Sequence, residues 1–438
     1  MRYVAIVGRP NVGKSTLFNY LAGQRISIVD DTPGVTRDRI YADVEWTGHR
    51  FTMVDTGGID TASTDALLKD MRLQAEVAIA EADLILFLTD GRQGVTAADE
   101  EVARILRNTK KPILLAVNKL DEPRMFDESH EFYRLGLGDP VPISAANGMN
   151  LGDLLDLIVT NMPEEEAPDY PENTIKIAVI GRPNVGKSSL VNAILGQNRS
   201  IVSDIPGTTR DAIDTFFERD GQRYVIIDTA GLRKKNRIED GIERYSVVRS
   251  LRAVDKSDIC YMLLDATEGV MEQDKKIVGY AHDKGKGIIF VINKWDLMDK
   301  EEHTTHGMTK EIHKEIIFCD YAPTIFVSAL TGQRVHRTLE LAKEVYAEQA
   351  KRVSISALNE LVKEATLTTP PPTEKGKRLR IGYVTQAQGK PPTFVFFVND
   401  PELMHFSYRR FLENRIRAVY GFVGTPIRLI SRKKDIDE

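Results

Sequence analysis

One eight-residue string, Gly-Arg-Pro-Asn-Val-Gly-Lys-Ser, occurs twice in this chain, each time after a β-branched apolar residue. Val7-Gly8-Arg9-Pro10-Asn11-Val12-Gly13-Lys14-Ser15 returns as Ile180-Gly181-Arg182-Pro183-Asn184-Val185-Gly186-Lys187-Ser188, an offset of 173 residues. At the same offset, Pro33-Gly34-Val35-Thr36-Arg37-Asp38 returns as Pro206-Gly207-Thr208-Thr209-Arg210-Asp211, and Asp55-Thr56-Gly57-Gly58 as Asp228-Thr229-Ala230-Gly231. Asn118-Lys119-Leu120-Asp121 returns as Asn293-Lys294-Trp295-Asp296 at an offset of 175, a drift that a small loop insertion explains. A period this long means duplicated domains, because solenoid periods run to about 20–50 residues.

Within each copy, short apolar runs alternate with helical patterns. The runs are Tyr3–Val7, Phe51–Val54, Leu84–Leu88 and Ile113–Val117, then Ile175–Ile180, Tyr224–Ile227, Ile259–Leu264 and Ile288–Ile292. Such alternation predicts an α/β fold of parallel strands covered on both faces, with ligands at the strands' carboxyl ends. The predicted domains are 1–162 and 174–351, joined by an acidic, Pro-rich linker over 163–173 that reads as extended and self-repelling. Residues 352–438 read as a third, small α+β domain of order α-β-β-α-β, with strands at Leu379–Gln386, Thr393–Asn399 and Ile427–Ile430.

The repeated segments carry the chemistry. Gly-x-x-x-x-Gly-Lys-Ser after a strand and before a helix is a P-loop, whose glycines turn backbone N–H groups inward on an anion. The nucleotide-binding candidates there are Gly8 to Ser15 with Thr16, and Gly181 to Ser188 with Ser189. Lys14 and Lys187 are placed to reach the β- and γ-phosphates, and Ser15 and Ser188 to offer a hydroxyl to magnesium. Asp55 and Asp228 open Asp-x-x-Gly, where the carboxylate serves the metal and Gly58 or Gly231 touches the γ-phosphate. Thr36 and Thr209 suit a switch threonine that joins the metal only when that phosphate is present.

Base choice falls to Asn118, Lys119 and Asp121, and to Asn293, Lys294 and Asp296. A carboxylate accepts from guanine N1–H and the 2-amino group together, whereas adenine would set a lone pair against it. Ser144-Ala145 and Ser328-Ala329 follow later strands and can offer a backbone N–H to guanine O6. Two GTP/GDP sites per chain are expected.

The whole chain resembles the bacterial tandem GTPases of the Der (EngA) family. The resemblance is carried by the paired Gly-Arg-Pro-Asn-Val-Gly-Lys-Ser loops, Thr-Arg-Asp in both switch segments, Ser328-Ala329-Leu330-Thr331-Gly332, and Pro391-Pro392-Thr393-Phe394-Val395-Phe396-Phe397-Val398-Asn399. It implies two tandem P-loop GTPase domains with a KH-like C-terminal domain, GTP hydrolysis, and a role in maturation of the large ribosomal subunit and its RNA. Where many GTPases place a water-orienting glutamine, this chain has Ile59 and Leu232. The wider group that the family belongs to pairs such a residue with a potassium ion held by a P-loop asparagine, here Asn11 and Asn184. Each of these also suits a loop that needs unusual φ/ψ.

Composition narrows the rest. The chain has 438 residues and a formal charge of −5, but 13 Lys/Arg against 7 Asp/Glu fall between Glu374 and Glu438. That basic end fits an anionic partner or an ordinary solvated surface. RNA contacts are expected from Arg409, Arg410, Arg415, Arg417, Arg432, Lys433 and Lys434, whereas Gly421-Phe422-Val423-Gly424 reads as a helix-to-strand turn and Tyr408 and Phe411 as core. Two cysteines, Cys260 and Cys319, make no metal spacing and suit a cytoplasmic protein. No apolar stretch reaches the roughly 18 residues of a membrane helix, and a monomer is expected. Two competing readings are an RNA-binding protein holding GTP as a static ligand, which turnover would exclude, and a signalling GTPase, disfavoured by the basic tail.

Overall fold

The computed structural model describes residues 2–23, 41–55, 64–163, 170–197, 214–229, 242–298, 304–371, 373–374 and 377–434. The chain divides into two compact units. The first carries the first copy; the second carries the second copy together with the C-terminal domain.

In the first unit the strands are β1 (Arg2–Val7), β2 (Tyr41–Trp46), β3 (His49–Asp55), β4 (Leu84–Asp90), β5 (Ile113–Asn118) and β6 (Pro140–Pro142). They form one sheet of order β2-β3-β1-β4-β5-β6. All neighbours are parallel except β2 and β3, which form an antiparallel hairpin. Side chains alternate across the sheet. Val4 and Ile6 pack with Leu17 and Leu21 of helix Lys14–Gly23 and with Leu154 of helix Leu151–Asn161. Ala5 and Val7 pack on the other face with Ala75 and Ala78 of helix Thr64–Glu81 and with Val102 and Leu106 of helix Ala97–Leu106. Burial on both faces is why these strands read as continuous apolar runs.

The second copy repeats the design with β7 (Thr174–Ile180), β8 (Thr215–Arg219), β9 (Gln222–Ile226), β10 (Ile259–Asp265), β11 (Gly287–Asn293) and β12 (Thr324–Phe326). The order is β12-β11-β10-β7-β9-β8, again with an antiparallel β8–β9 hairpin. The expectation of parallel strands therefore holds for the central runs and needs correction at the β2 and β8 edges. The linker also needs correction at its end: Tyr170 is pinned, its hydroxyl donating to Asp214 at 2.8 Å and its ring lying 5.3 Å from Lys176 Nζ. Residues 164–169 lie outside the described residues.

The C-terminal domain runs helix Ile355–Thr368, a short hairpin β13 (Thr373–Glu374) and β14 (Lys377–Arg378), β15 (Ile381–Gln386), β16 (Thr393–Val398), helix Phe406–Tyr420 and β17 (Arg428–Lys433). β16 pairs antiparallel with β15 and parallel with β17. Leu358 and Val362 of the first helix and Tyr408, Leu412 and Ile416 of the second close over Phe394, Phe396 and Val398.

This domain is joined to the second copy by backbone bonds. Gly424 N–H donates to the Tyr321 carbonyl at 2.8 Å, and Ile288 N–H donates to the Gly424 carbonyl at 2.7 Å. Lys351 Nζ donates to the Tyr420 carbonyl at 2.6 Å, and Phe422 N–H to the Glu348 carboxylate at 2.6 Å. Arg417 is not an RNA-facing group. Its guanidinium lies 4.4 Å from the Tyr321 ring centroid and donates to Glu413 and to the Phe422 and Thr425 carbonyls. Arg432, Lys433 and Lys434 are exposed.

Candidate nucleotide-binding sites

Both P-loops bridge a strand and a helix, as the spacing requires. Asn11 and Asn184 hold left-handed φ of 64° and 63°, a conformation that Asn tolerates. Gly13 and Gly186 follow at 100° and 99°, and a Cβ at either would sit 2.3 or 2.1 Å from the Nδ2 of Asn118 or Asn293. The backbone can take this course only without a side chain there. Buried Lys14 donates from Nζ to the Gly8 and Arg9 carbonyls at 2.6 and 2.8 Å, and Lys187 to those of Gly181 and Arg182 at 2.7 and 2.5 Å. Each ammonium is thus held inside its own loop. The amides of Asn11 and Asn184 are exposed at the loop tips, beside Pro10 and Pro183; Thr16 and Ser189 are exposed in the first helical turn.

Ser15 Oγ donates to Asp55 Oδ2 at 3.3 Å, bringing a hydroxyl and a carboxylate together at the carboxyl end of the sheet. The second copy differs. β9 stops at Ile226, and Asp228 lies two residues beyond at φ 60°, its N–H donating to Asp214 at 2.8 Å. Ser188 stands at the position of Ser15. Thr36, Thr209, Gly58, Gly231, Ile59 and Leu232 lie outside the described residues.

At the base end, Asn118 is a tie between loops. Its Nδ2 donates to the Val12 carbonyl at 2.8 Å and its Oδ1 accepts from Ala145 N–H at 2.9 Å. Asn293 repeats both bonds with Val185 and Ala329 at 2.8 and 2.9 Å. These two positions, predicted as base-reading, fasten the P-loop, the Asn-Lys-x-Asp loop and the Ser-Ala loop to one another. Lys119 and Lys294 sit at φ 69° and 62°. Their ammonium groups pair with Asp90 at 2.7 Å and Asp265 at 2.5 Å, which keeps each stem beside the position a base would occupy. Burial alone would raise the Asp265 carboxyl, yet bonds from Lys294 and Thr267 hold it below the usual carboxylate range. Ser144 Oγ donates to Asp121 Oδ1 at 2.5 Å, whereas Ser328 Oγ accepts from Thr331 N–H at 3.1 Å.

The guanidinium groups of Arg9 and Arg182, whose loop backbones are the predicted nucleotide contacts, reach helices Ala97–Leu106 and Glu272–Asp283. Arg9 Nε donates to buried Asp99 at 2.9 Å and Nη1 to Gln93 at 2.8 Å. Arg182 repeats this with Asp274 and Glu268, both at 2.9 Å. Burial pushes the Asp274 carboxyl up despite bonds from Met271 N–H and Arg182. Asp99 also closes a capping box with Thr96, so one carboxylate serves both the helix start and the P-loop arginine. Sequence reasoning missed Asp90, Asp99, Asp265 and Asp274. A signal was available for the first and third, since each ends a strand directly opposite Asn118 or Asn293.

Two phosphate loops at strand ends, each tied to an Asn-Lys-x-Asp loop on the same sheet, define a tandem P-loop GTPase. The family described as "50S ribosome-binding GTPase" matches residues 3–119 and 176–294, and "KH-domain-like of EngA bacterial GTPase enzymes, C-terminal" matches 352–432. The curated GTPase Der of Desulforamulus reducens is 59% identical over 434 residues, covering 99% of this chain and 98% of that protein. GTPase Der of Halalkalibacterium halodurans is 58% identical, covering 99% of each chain. That of Geobacillus thermodenitrificans is 58% identical, covering 98% of this chain and 99% of the relative. The chain belongs to the GTPase Der family of ribosome-binding GTPases and is a GTP hydrolase. Among the described residues no helix is long and apolar enough to cross a membrane.

Proposed function

We propose that the chain is a nucleotide-dependent switch in assembly of the large ribosomal subunit, with its C-terminal domain facing ribosomal RNA. The observation that carries this is the packing of the KH-like domain into one compact unit with the second P-loop and its Asn-Lys-x-Asp loop, its exposed Arg432, Lys433 and Lys434 left free of the joint. In this reading the domains are 1–162, 174–351 and 352–438, joined at 163–173, and the protein acts as a cytoplasmic monomer.

Each site would work alike. Lys14 and Lys187 turn from their loop carbonyls toward the β- and γ-phosphates, and inward N–H groups of the loop stabilise charge that develops there. A hydroxyl and a carboxylate, Ser15 with Asp55, form a donor set that suits magnesium, Ser188 and Asp228 would serve the second site, and Thr36 and Thr209 would complete the two sets. Bound there, magnesium would neutralise charge on the phosphates. Ile59 and Leu232 cannot orient water, so Asn11 and Asn184 would each hold a potassium ion, which would supply the remaining charge stabilisation. Removing one such group costs on the order of 10²–10³ in rate. Hydrolysis should therefore be faster in potassium than in sodium at matched ionic strength, and equal rates would refute the cation's role.

Sedimentation of the full chain with purified ribosomal subunits under GTP, GDP and no nucleotide tests the switch. Association should follow nucleotide state, favour the large subunit and weaken with salt by roughly one unit of slope per phosphate contact. The triple variant Arg432→Glu, Lys433→Glu, Lys434→Glu should keep both nucleotide sites and lose association. Undiminished binding by that variant would remove this surface from the RNA interface.

A further inference from the structure

The two predicted base-reading ends share one plan and part at the turn that follows the strand. Asp90 and Asp265 end equivalent strands, each pairing with the lysine of its Asn-Lys-x-Asp loop and accepting from a backbone N–H two residues on. That second residue is Arg92 in the first copy and Thr267 in the second. Thr267 turns inward, its N–H and Oγ1 both donating to Asp265 Oδ1, at 2.9 and 2.7 Å. Arg92 reaches outward across the neighbouring loop. Its Nε donates to the Lys119 carbonyl at 3.3 Å, and its Nη2 pairs with Oδ2 of Asp121. Oδ1 of the same carboxylate accepts from Ser144. Both oxygens of Asp121 are thus engaged by side chains of the protein itself. Among the described residues, no hydrogen bond or ion pair engages the Asp296 carboxylate.

We infer that Arg92 competes with guanine for Asp121 and so sets the affinity of the first site apart from that of the second. Guanine would present N1–H and its 2-amino group to the oxygens that Arg92 and Ser144 hold, so binding has to displace the guanidinium. The inference rests on the reading of Asp121 as the base-selecting carboxylate. The Arg92 side chain is 57% exposed and the released cation regains water, so the effect is that of a surface pair, roughly two- to five-fold in affinity.

The test measures binding of a fluorescent GDP to the full chain carrying Lys187→Ala, which leaves the first site to be read. Adding Arg92→Thr should tighten GDP roughly two- to five-fold. The reverse graft, Thr267→Arg with Lys14→Ala, should weaken the second site by a similar factor. With Asp121→Asn, which turns the site toward xanthine nucleotides, Arg92→Thr should leave xanthosine diphosphate binding unchanged, because the charge it pairs with is gone. Unchanged or weaker GDP binding in Arg92→Thr, alongside a successful switch to xanthine, overturns the inference and leaves the base-reading role standing. Retained guanine preference in Asp121→Asn overturns both.

Discussion

Single side chains hold the loops of these sites together. Asn118 is the clearest case, since its amide joins the carbonyl of one loop to the N–H of another. In Asn118→Ala, two buried backbone groups lose their partner, each at a cost of about 1–3 kcal/mol. GDP affinity at the first site should fall at least about tenfold while the second site is unchanged, as two-site calorimetry would show. Asp99→Ala removes a cap and leaves the mostly buried Arg9 guanidinium without its carboxylate. Thermal unfolding should report a loss of roughly 2–4 kcal/mol in the first unit. A change under 1 kcal/mol would mean that Arg9 finds other partners at little cost.

At the scale of elements, Gly424 is where the turn after helix Phe406–Tyr420 meets the second copy. It holds φ 72°, and a Cβ there would lie 2.3 Å from Val345 Cγ2. Gly424→Ala should destabilise this joint by about 2–3 kcal/mol, through overpacking and left-handed strain together. Faster proteolysis within 352–434, with GDP binding kept at both sites, is the expected outcome. The Gly-x-x-Gly spacing marked a turn in the sequence, but nothing local told that its second glycine would bond Tyr321 and Ile288. The same limit applies elsewhere. Central strands were legible because both faces are buried, as in Leu84–Asp90 and Ile259–Asp265. The edges were not: β6 is Pro140–Pro142, and β2 mixes buried Tyr41, Ala42 and Val44 with polar neighbours. The site motifs were legible by residue type and order. Which partner each side chain takes was not, because Arg9–Asp99 and Arg92–Asp121 arise from strand adjacency.

At the scale of the whole molecule, the joint between the second copy and the C-terminal domain carries a titratable group. His282 Nδ1 lies 2.8 Å from the Tyr321 hydroxyl, and its ring meets Phe318 edge-on at 5.6 Å. Burial, and then the charges of Arg417 and Arg428, lower its pKa from 6.5 to about 4. The folded protein keeps this ring neutral where the unfolded chain would protonate it. Its contribution to stability is therefore whole above pH 6.5 and is lost as pH falls toward 4. Between pH 7 and 5 the second unit should lose about 2 kcal/mol in urea unfolding, and His282→Gln should remove that share of the slope. An identical slope in the variant would place the titration elsewhere.

Strand β11 has two clients. Near its amino end, Ile288 N–H holds the Gly424 carbonyl of the C-terminal domain; at its carboxyl end, Asn293 fastens the loops around the nucleotide. Five residues separate the two positions, roughly 17 Å at the usual rise of an extended strand. That strand is buried along its whole length between two parallel neighbours, so one element ties the predicted base-reading loops to the KH-like domain. Any change that shifts Asn293 along the strand axis therefore acts on the same element that holds Gly424.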